Sequence, residues 1–232
     1  MVRLHTYLSS FCPQKKAEKA VTMKKAVVKL FRKLGLAGKI VILRNGALKD
    51  WDWFRTFDTG KSEDKNGQPL AWLTYAFLYF IEPRLNKSLT VFEYGCGNST
   101  FWYAARVKQV FSVEHHPEWY NYILKKKPAN SEIALAEEKQ AYLNSISFFE
   151  QKYDFIVVDG IHRNECMDLV PDFLTPHGVV ILDNSERPEY APAIEGIIAK
   201  GFRKIDFYGM APVTPLAGTT TVFYRDGNCL GI

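Results

Sequence analysis

One ten-residue run constrains the chain more than any other: Val91-Phe92-Glu93-Tyr94-Gly95-Cys96-Gly97-Asn98-Ser99-Thr100. Residues 89–92 are apolar and β-favouring, and they stop at two glycines. Ser99-Thr100 and the helix-compatible residues 101–107 follow. This order predicts a strand, a tight turn and a helix start. Glycine belongs where the backbone takes a positive φ or where another group must approach the main chain closely. Ser99 or Thr100 can cap the helix that begins there.

The glycine spacing argues against one ligand class. A dinucleotide fingerprint wants Gly-x-Gly-x-x-Gly. Gly95 and Gly97 fit, but Thr100 stands at the third position. Two residues before the first glycine lies Glu93, whose carboxylate would repel a pyrophosphate and suit a cationic or hydroxylated ligand. The pattern E-x-G-x-G-x-S-T resembles motif I of the class I S-adenosylmethionine-dependent methyltransferases. That resemblance implies a loop of Glu93, Gly95, Gly97, Asn98, Ser99 and Thr100 wrapped around the methionine and ribose parts of S-adenosylmethionine. A nicotinamide-dependent oxidoreductase is the competing enzyme reading, and Thr100 disfavours it.

From residue 89 onward strands and helices alternate, which predicts a mostly parallel sheet. Strands are expected over 89–94, 109–114, 133–136, 153–159 and 178–183. Helices are expected over 99–107, 117–127, 141–150, 165–174 and 190–200. A final strand pair, 203–208 and 219–225, closes the chain. The succession is similar to the class I methyltransferase order: a seven-stranded, Rossmann-like α/β sheet with helices on both faces and the last strand antiparallel. The resemblance covers roughly residues 70–226. It sets the expected domain division at a methyltransferase domain over 70–232 and a basic helical extension with a polar loop over 1–69.

Ligands of open α/β sheets bind outside the carboxyl ends of the strands. Glu93, Glu114, Asp159 and Asp183 all end strands. Glu114 lies about twenty residues past the glycine loop, where a carboxylate can accept ribose hydroxyls. The resemblance gives it that role, and places adenine beside residues 137–140. His115 and His116 are expected at the surface. Asp159, Asp183 and Asn184 offer three oxygen ligands from neighbouring strand ends, which suits Mg²⁺ or Ca²⁺. They resemble the metal site of the catechol-type O-methyltransferases, although the same pattern serves metal-free members. That likeness implies a base three residues after Asp159. Here the position holds His162, where the catechol-type enzymes carry Lys, and neutral His is a competent base near pH 7. Arg163 is placed to pair with an anionic substrate. Trp72 and Tyr75, on an apolar helix expected over 70–81, are candidates for a substrate wall.

No Asn/Asp-Pro-Pro-Tyr run for exocyclic amines and no Pro-Cys pair for pyrimidine C5 attack is present. Their absence favours O-methyl transfer to a small-molecule or sugar hydroxyl. Two other readings stay open: an RNA methyltransferase that grips phosphates with the basic extension, and a non-catalytic binding module on the same fold.

The whole chain carries a formal +5. Residues 1–50 hold twelve Lys and Arg against Glu18 and Asp50, so the remainder is mildly acidic. Residues 14–34 read as a basic amphipathic helix, with Ala20, Met23, Val27, Phe31 and Leu34 at helical spacing. Such a helix suits a solvated face, peripheral membrane contact or nucleic acid. Residues 40–43 read as a short strand. Cys12, Cys96, Cys166 and Cys229 form no C-x-x-C pair, and no signal-peptide pattern opens the chain. A cytoplasmic protein is the expectation.

Overall fold

A computed structural model describes residues 29–232. The expected helix over 14–34 therefore lies largely outside the described residues. The chain divides into two compact units at Trp51/Asp52. The first contains helices α1 (Ala37–Asn45) and α2 (Ala47–Asp50), after a helical stretch over 29–33. Residues 40–43, expected as a strand, lie inside α1. Ile40 N–H donates to Leu36 O at 3.0 Å, and Gly46 N–H to Ile42 O at 3.0 Å. A lone strand would leave its backbone groups without partners, whereas a helix satisfies them locally.

The second unit begins at Asp52. Helix α3 (Trp53–Thr59) is tied to the far end of the chain. Trp53 Nε1 donates to Ala211 O at 3.1 Å, and Thr56 Oγ1 accepts from Val213 N at 3.0 Å. Residues 59–69 are also held. Asp64 Oδ1 accepts from Asn66 N and Gln68 N, and Asn98 Nδ2 donates to Ser62 O. Helix α4 (Tyr75–Ile81) is shorter than the apolar run that suggested it. Thr74 is extended at ψ 140°, and its N–H donates to Thr220 Oγ1, so the helix starts only after it and residues 70–74 are loop.

Seven strands form one sheet: β1 (Thr90–Tyr94), β2 (Gln109–Glu114), β3 (Ser131–Leu135), β4 (Tyr153–Val158), β5 (Leu174–Asp183), β6 (Arg203–Met210) and β7 (Ala217–Tyr224). Their order is β3-β2-β1-β4-β5-β7-β6. The first five are parallel, while β7 runs antiparallel between β5 and β6. The expected α/β class is thus the observed one. Between the strands lie α5 (Asn98–Ala104), α6 (Pro117–Leu124), α7 (Lys139–Asn144), α8 (Arg163–Leu169) and α9 (Ala191–Ala199). Phe92, Tyr94, Phe155, Ile156, Val158, Val180 and Leu182 are fully buried. These central strands read as continuous apolar runs because helices cover both faces. Each such side chain contributes roughly 1.5–3 kcal/mol by leaving water.

Register aligns the acids. Tyr94 pairs with Val158, and Val158 with Leu182. The next residues along each strand are Gly95, Asp159 and Asp183, side by side at the carboxyl edge. The strand order reverses between β1 and β4, which is where a cleft opens in such sheets.

Candidate active site

The cleft exists because two glycines let β1 and β4 end close together. Gly95 has φ 98°, and a Cβ on it would sit 3.4 Å from Gly160 Cα. On Gly160 a Cβ would lie 2.0 Å from the Tyr142 hydroxyl and 2.9 Å from Tyr94 O. Asp159 N–H donates to Tyr94 O at 3.2 Å across the same gap. The Asp159-Gly160 pair was legible as a strand end, but its close approach to the glycine loop was not.

Glu93 shapes the loop from beneath. It is 2% exposed. Its Oε2 accepts from Thr100 Oγ1 at 2.7 Å and from Ser112 Oγ at 3.1 Å. Thr100 Oγ1 in turn accepts from Gly97 N–H at 3.1 Å. Thr100 thus links the carboxylate to the loop and also helps to cap α5, accepting at N3 from the backbone of the N-cap Gly97. Burial raises the Glu93 carboxyl to about 7, opposed by hydrogen bonds from Thr100, Ser99 and Ser112. Asn98, expected on the cofactor, spends its amide on Ser62 O.

Both oxygens of Glu114 are engaged, one by short bonds and the other by long ones from Cys96 N and Cys96 Sγ. Oε1 accepts from His115 N at 2.8 Å and His116 N at 2.9 Å, and Oε2 lies 3.4 Å from Cys96 N. A cavity of about 560 Å³ is lined by Glu93, Gly95, Cys96, Ser99, Glu114 and Asp159, among others. His115, His116 and Trp119 also line it; His116 is exposed and His115 half-buried, so the histidines are surface residues at the cavity's edge. Trp119 Nε1 donates to Cys96 O at 2.7 Å. Trp119 was missed; an aromatic in the first turn after a strand-end acid was the available signal. Burial and the nearby Glu114 push the Cys96 thiol well up, which rules out a ready thiolate.

The donor set fits S-adenosylmethionine. Glu114 offers a carboxylate oxygen for ribose hydroxyls, the glycines leave the space side chains would fill, and Glu93 with Asp159 suits a sulfonium. The volume falls within the range of small-ligand clefts.

A second cavity, of about 530 Å³, lies beyond Asp159. Trp72, Thr74, Asp183, Asn184, Glu186 and Arg187 help to line it, and Asp159 lines both cavities. Trp72 is 47% exposed and lines this second cavity. Tyr75 does not behave as an open wall: it is 4% exposed.

Arg163 occupies the centre of the acid cluster. Its guanidinium donates to Asp159 Oδ1 at 2.9 Å, Asp159 O at 2.8 Å, Gly160 O at 2.9 Å and Asn184 Oδ1 at 3.3 Å, and also to Asp183 O. Its side chain is 10% exposed. Arg163 therefore orders the strand ends and has no free fork for a substrate anion. It also takes one Asp159 carboxylate oxygen and the Asn184 amide oxygen, two of the three groups expected to hold Mg²⁺ or Ca²⁺, while Thr220 donates to the Asp183 carboxylate. A divalent ion does not fit this donor set without displacing the guanidinium. Among the described residues no group of three His, Cys, Asp or Glu side chains is placed to hold a metal.

Asp183 is 6% exposed, and its Oδ1 accepts from Thr220 Oγ1 at 2.6 Å. This bond follows from the β5/β7 register, which pairs Asp183 with Thr220. Burial raises both aspartates. Asp159 is drawn back by Arg163, whereas Asp183 is raised further by Asp159. The Tyr103 hydroxyl is buried near Glu93, Asp159 and Asp183, and it makes no hydrogen bond to a described residue. His162 takes φ 53°, and its ring sits 6.2 Å from that of Tyr142, edge to face. That left-handed turn sends Arg163 into the cluster and His162 towards α7.

Residues 92–185 match the family model of a methyltransferase domain. The chain carries a methyltransferase domain of the S-adenosylmethionine-dependent kind. The matched stretch holds the glycine loop, Glu114 and the Asp159–Asp183 cluster. The domain is similar to precorrin-6y C5,15-methyltransferase from Geobacter metallireducens GS-15, at 15% identity and a TM-score of 0.54, over 73% of this chain and 96% of that one. A precorrin 8w decarboxylase from Methanobacterium thermoautotrophicum is 19% identical, with a TM-score of 0.46, over 64% and 87% of the two chains. A methyltransferase from Streptococcus mutans in complex with SAH is 8% identical, with a TM-score of 0.47, over 63% and 94%. These likenesses concern the fold. No curated relative matches. Among the described residues no helix is long and apolar enough to cross a membrane.

Proposed function

We propose that this methyltransferase domain methylates a hydroxyl of a small molecule or sugar held in the second cavity, without a divalent cation. The single observation that carries the reading is that Asp159 lines both cavities. A group attacking from the second cavity would meet the donor in the first beside that carboxylate.

When bound, S-adenosylmethionine supplies a methyl group already activated on sulfur. Glu114 holds ribose hydroxyls, and the Glu93–Thr100–Gly97 chain fixes the loop. Asp159, coupled to Asp183, accepts the proton of the acceptor hydroxyl as its oxygen bonds to the methyl carbon. Raised carboxyls suit that task better than ordinary ones, because their basicity approaches working pH. The base assignment thus moves from His162 to Asp159. Arg163 steadies the dyad and keeps its second oxygen aimed. Arg187 lines the second cavity and donates no side-chain hydrogen bond to a described residue. It takes over the part expected of Arg163, recognition of an anionic group on the acceptor.

Calorimetry with S-adenosylmethionine and its demethylated product tests the first half of this reading, and absence of binding at millimolar ligand overturns it. For the second half, Asp159→Asn is expected to bind the cofactor still, though less tightly, through Glu114 and the glycine loop, while losing methyl transfer to a panel of hydroxylated acids and sugars. Unchanged turnover would remove Asp159 from the chemistry.

A further inference from the structure

The first unit presents an unusual surface. Leu30, Leu34, Leu36, Val41, Ile42 and Leu43 are 36–59% exposed within fifteen residues. Isolated exposed aliphatics are ordinary, but a contiguous set marks an interaction site. Lys29, Arg32, Lys33 and Lys39 are exposed among them, and no acid occurs between Glu18 and Asp50.

The order of residues in α1 narrows the partner. Residues 40–43 are consecutive, so their side chains encircle the helix instead of forming one stripe. A single protein groove buries a stripe, whereas an all-round apolar turn suits a medium that surrounds it. Exposed Lys39 precedes this turn, and a long cation can lay its stem along apolar surface while its head reaches water. With nine residues, α1 is far too short to span a bilayer, which takes about 20. Phosphates of nucleic acid would engage the cations but leave the aliphatics in water.

We propose that residues 29–49 dock on an anionic lipid bilayer, with Ile42 and its neighbours at the headgroup–acyl boundary and the lysines on the headgroups. The interaction is independent of the acceptor chemistry proposed above.

Co-sedimentation of the full chain tests it, using phosphatidylcholine vesicles with and without phosphatidylglycerol. The full chain is expected to pellet with the phosphatidylglycerol vesicles and only weakly with the neutral ones. Lys33→Ala with Lys39→Ala is expected to weaken binding roughly twentyfold, about fivefold per charge. Ile42→Asp is expected to weaken it at least tenfold, with calorimetric S-adenosylmethionine affinity unchanged in both variants. The proposal is overturned if phosphatidylglycerol vesicles do not pellet the chain, or if Ile42→Asp binds them as tightly as the parent. It is equally overturned if the exposed face proves to join two copies, seen as a dimer in size exclusion that Ile42→Asp dissolves. Salt-sensitive poly-uridine binding tighter than vesicle binding would assign the surface to RNA instead.

Discussion

The Arg163 guanidinium donates to the Asp159 carboxylate at 2.9 Å, while its other donors reach the carbonyls of Asp159, Gly160 and Asp183. One side chain therefore fixes both the position and the charge of the carboxylate shared by two cavities. Arg163→Lys keeps the charge but loses the fork, because an ammonium cannot serve five acceptors in one plane. Turnover is expected to fall at least tenfold, with S-adenosylmethionine affinity within a few-fold. Removal of the positive charge in Arg163→Met raises Asp159, so the acid limb of the rate profile should move to higher pH. Rate against pH for parent and variants is the measurement.

Glu114→Gln replaces a charged acceptor facing the first cavity by a neutral amide. A hydrogen bond to a charged group is worth about 1.5–3 kcal/mol, so affinity for S-adenosylmethionine should fall roughly tenfold to a hundredfold. Calorimetry gives the constant directly, and equal affinity would remove Glu114 from the binding site.

Gly160→Ala should destabilise the domain through contact, since its φ is not positive. The added methyl meets the Tyr142 hydroxyl and Tyr94 O. Overpacking of this kind typically costs about 1–3 kcal/mol. Combining it with Tyr142→Phe relieves the closer of the two clashes and should recover part of the loss. Thermal melts of the single and double variants decide this.

Glu93 makes stability depend on pH with a definite sign. Its folded value, about 7, lies above its ordinary 4.5. The folded state therefore holds the proton more tightly. Stability from this group is fully present below about 4.5 and is lost as pH rises through about 7. The loss by pH 8 is of order a few kcal/mol, at 1.36 kcal/mol per unit. Glu93→Gln should flatten that part of the profile and melt later than the parent at pH 8. Parallel slopes for both proteins between pH 5 and 8 would show that Glu93 does not carry the effect.

Much of the sheet was legible because its signals are local. The strands ending at Glu93, Glu114, Asp159 and Asp183 announced themselves by apolar runs halted at glycine or acid. Boundaries were less legible where backbone partners were distant. The apolar run over 70–81 looked helical, but Thr74 is held extended by Thr220, 146 positions away. Residues 40–43 looked strand-like by propensity, yet no neighbouring strand pairs with them and local hydrogen bonds win.

The sequence alone determined the sheet's alternation, the glycine loop, the acids at the strand ends and the concentration of positive charge in residues 1–50. Each depends on residue type and short spacing. Only the tertiary structure decided what those acids face. Register placed Asp159 beside Asp183, a left-handed turn at His162 swung Arg163 between them, and β7 brought Thr220 to the pair. Those contacts join residues far apart in the chain, and their consequence is physical: a guanidinium already fills the place where spacing suggested a metal ion.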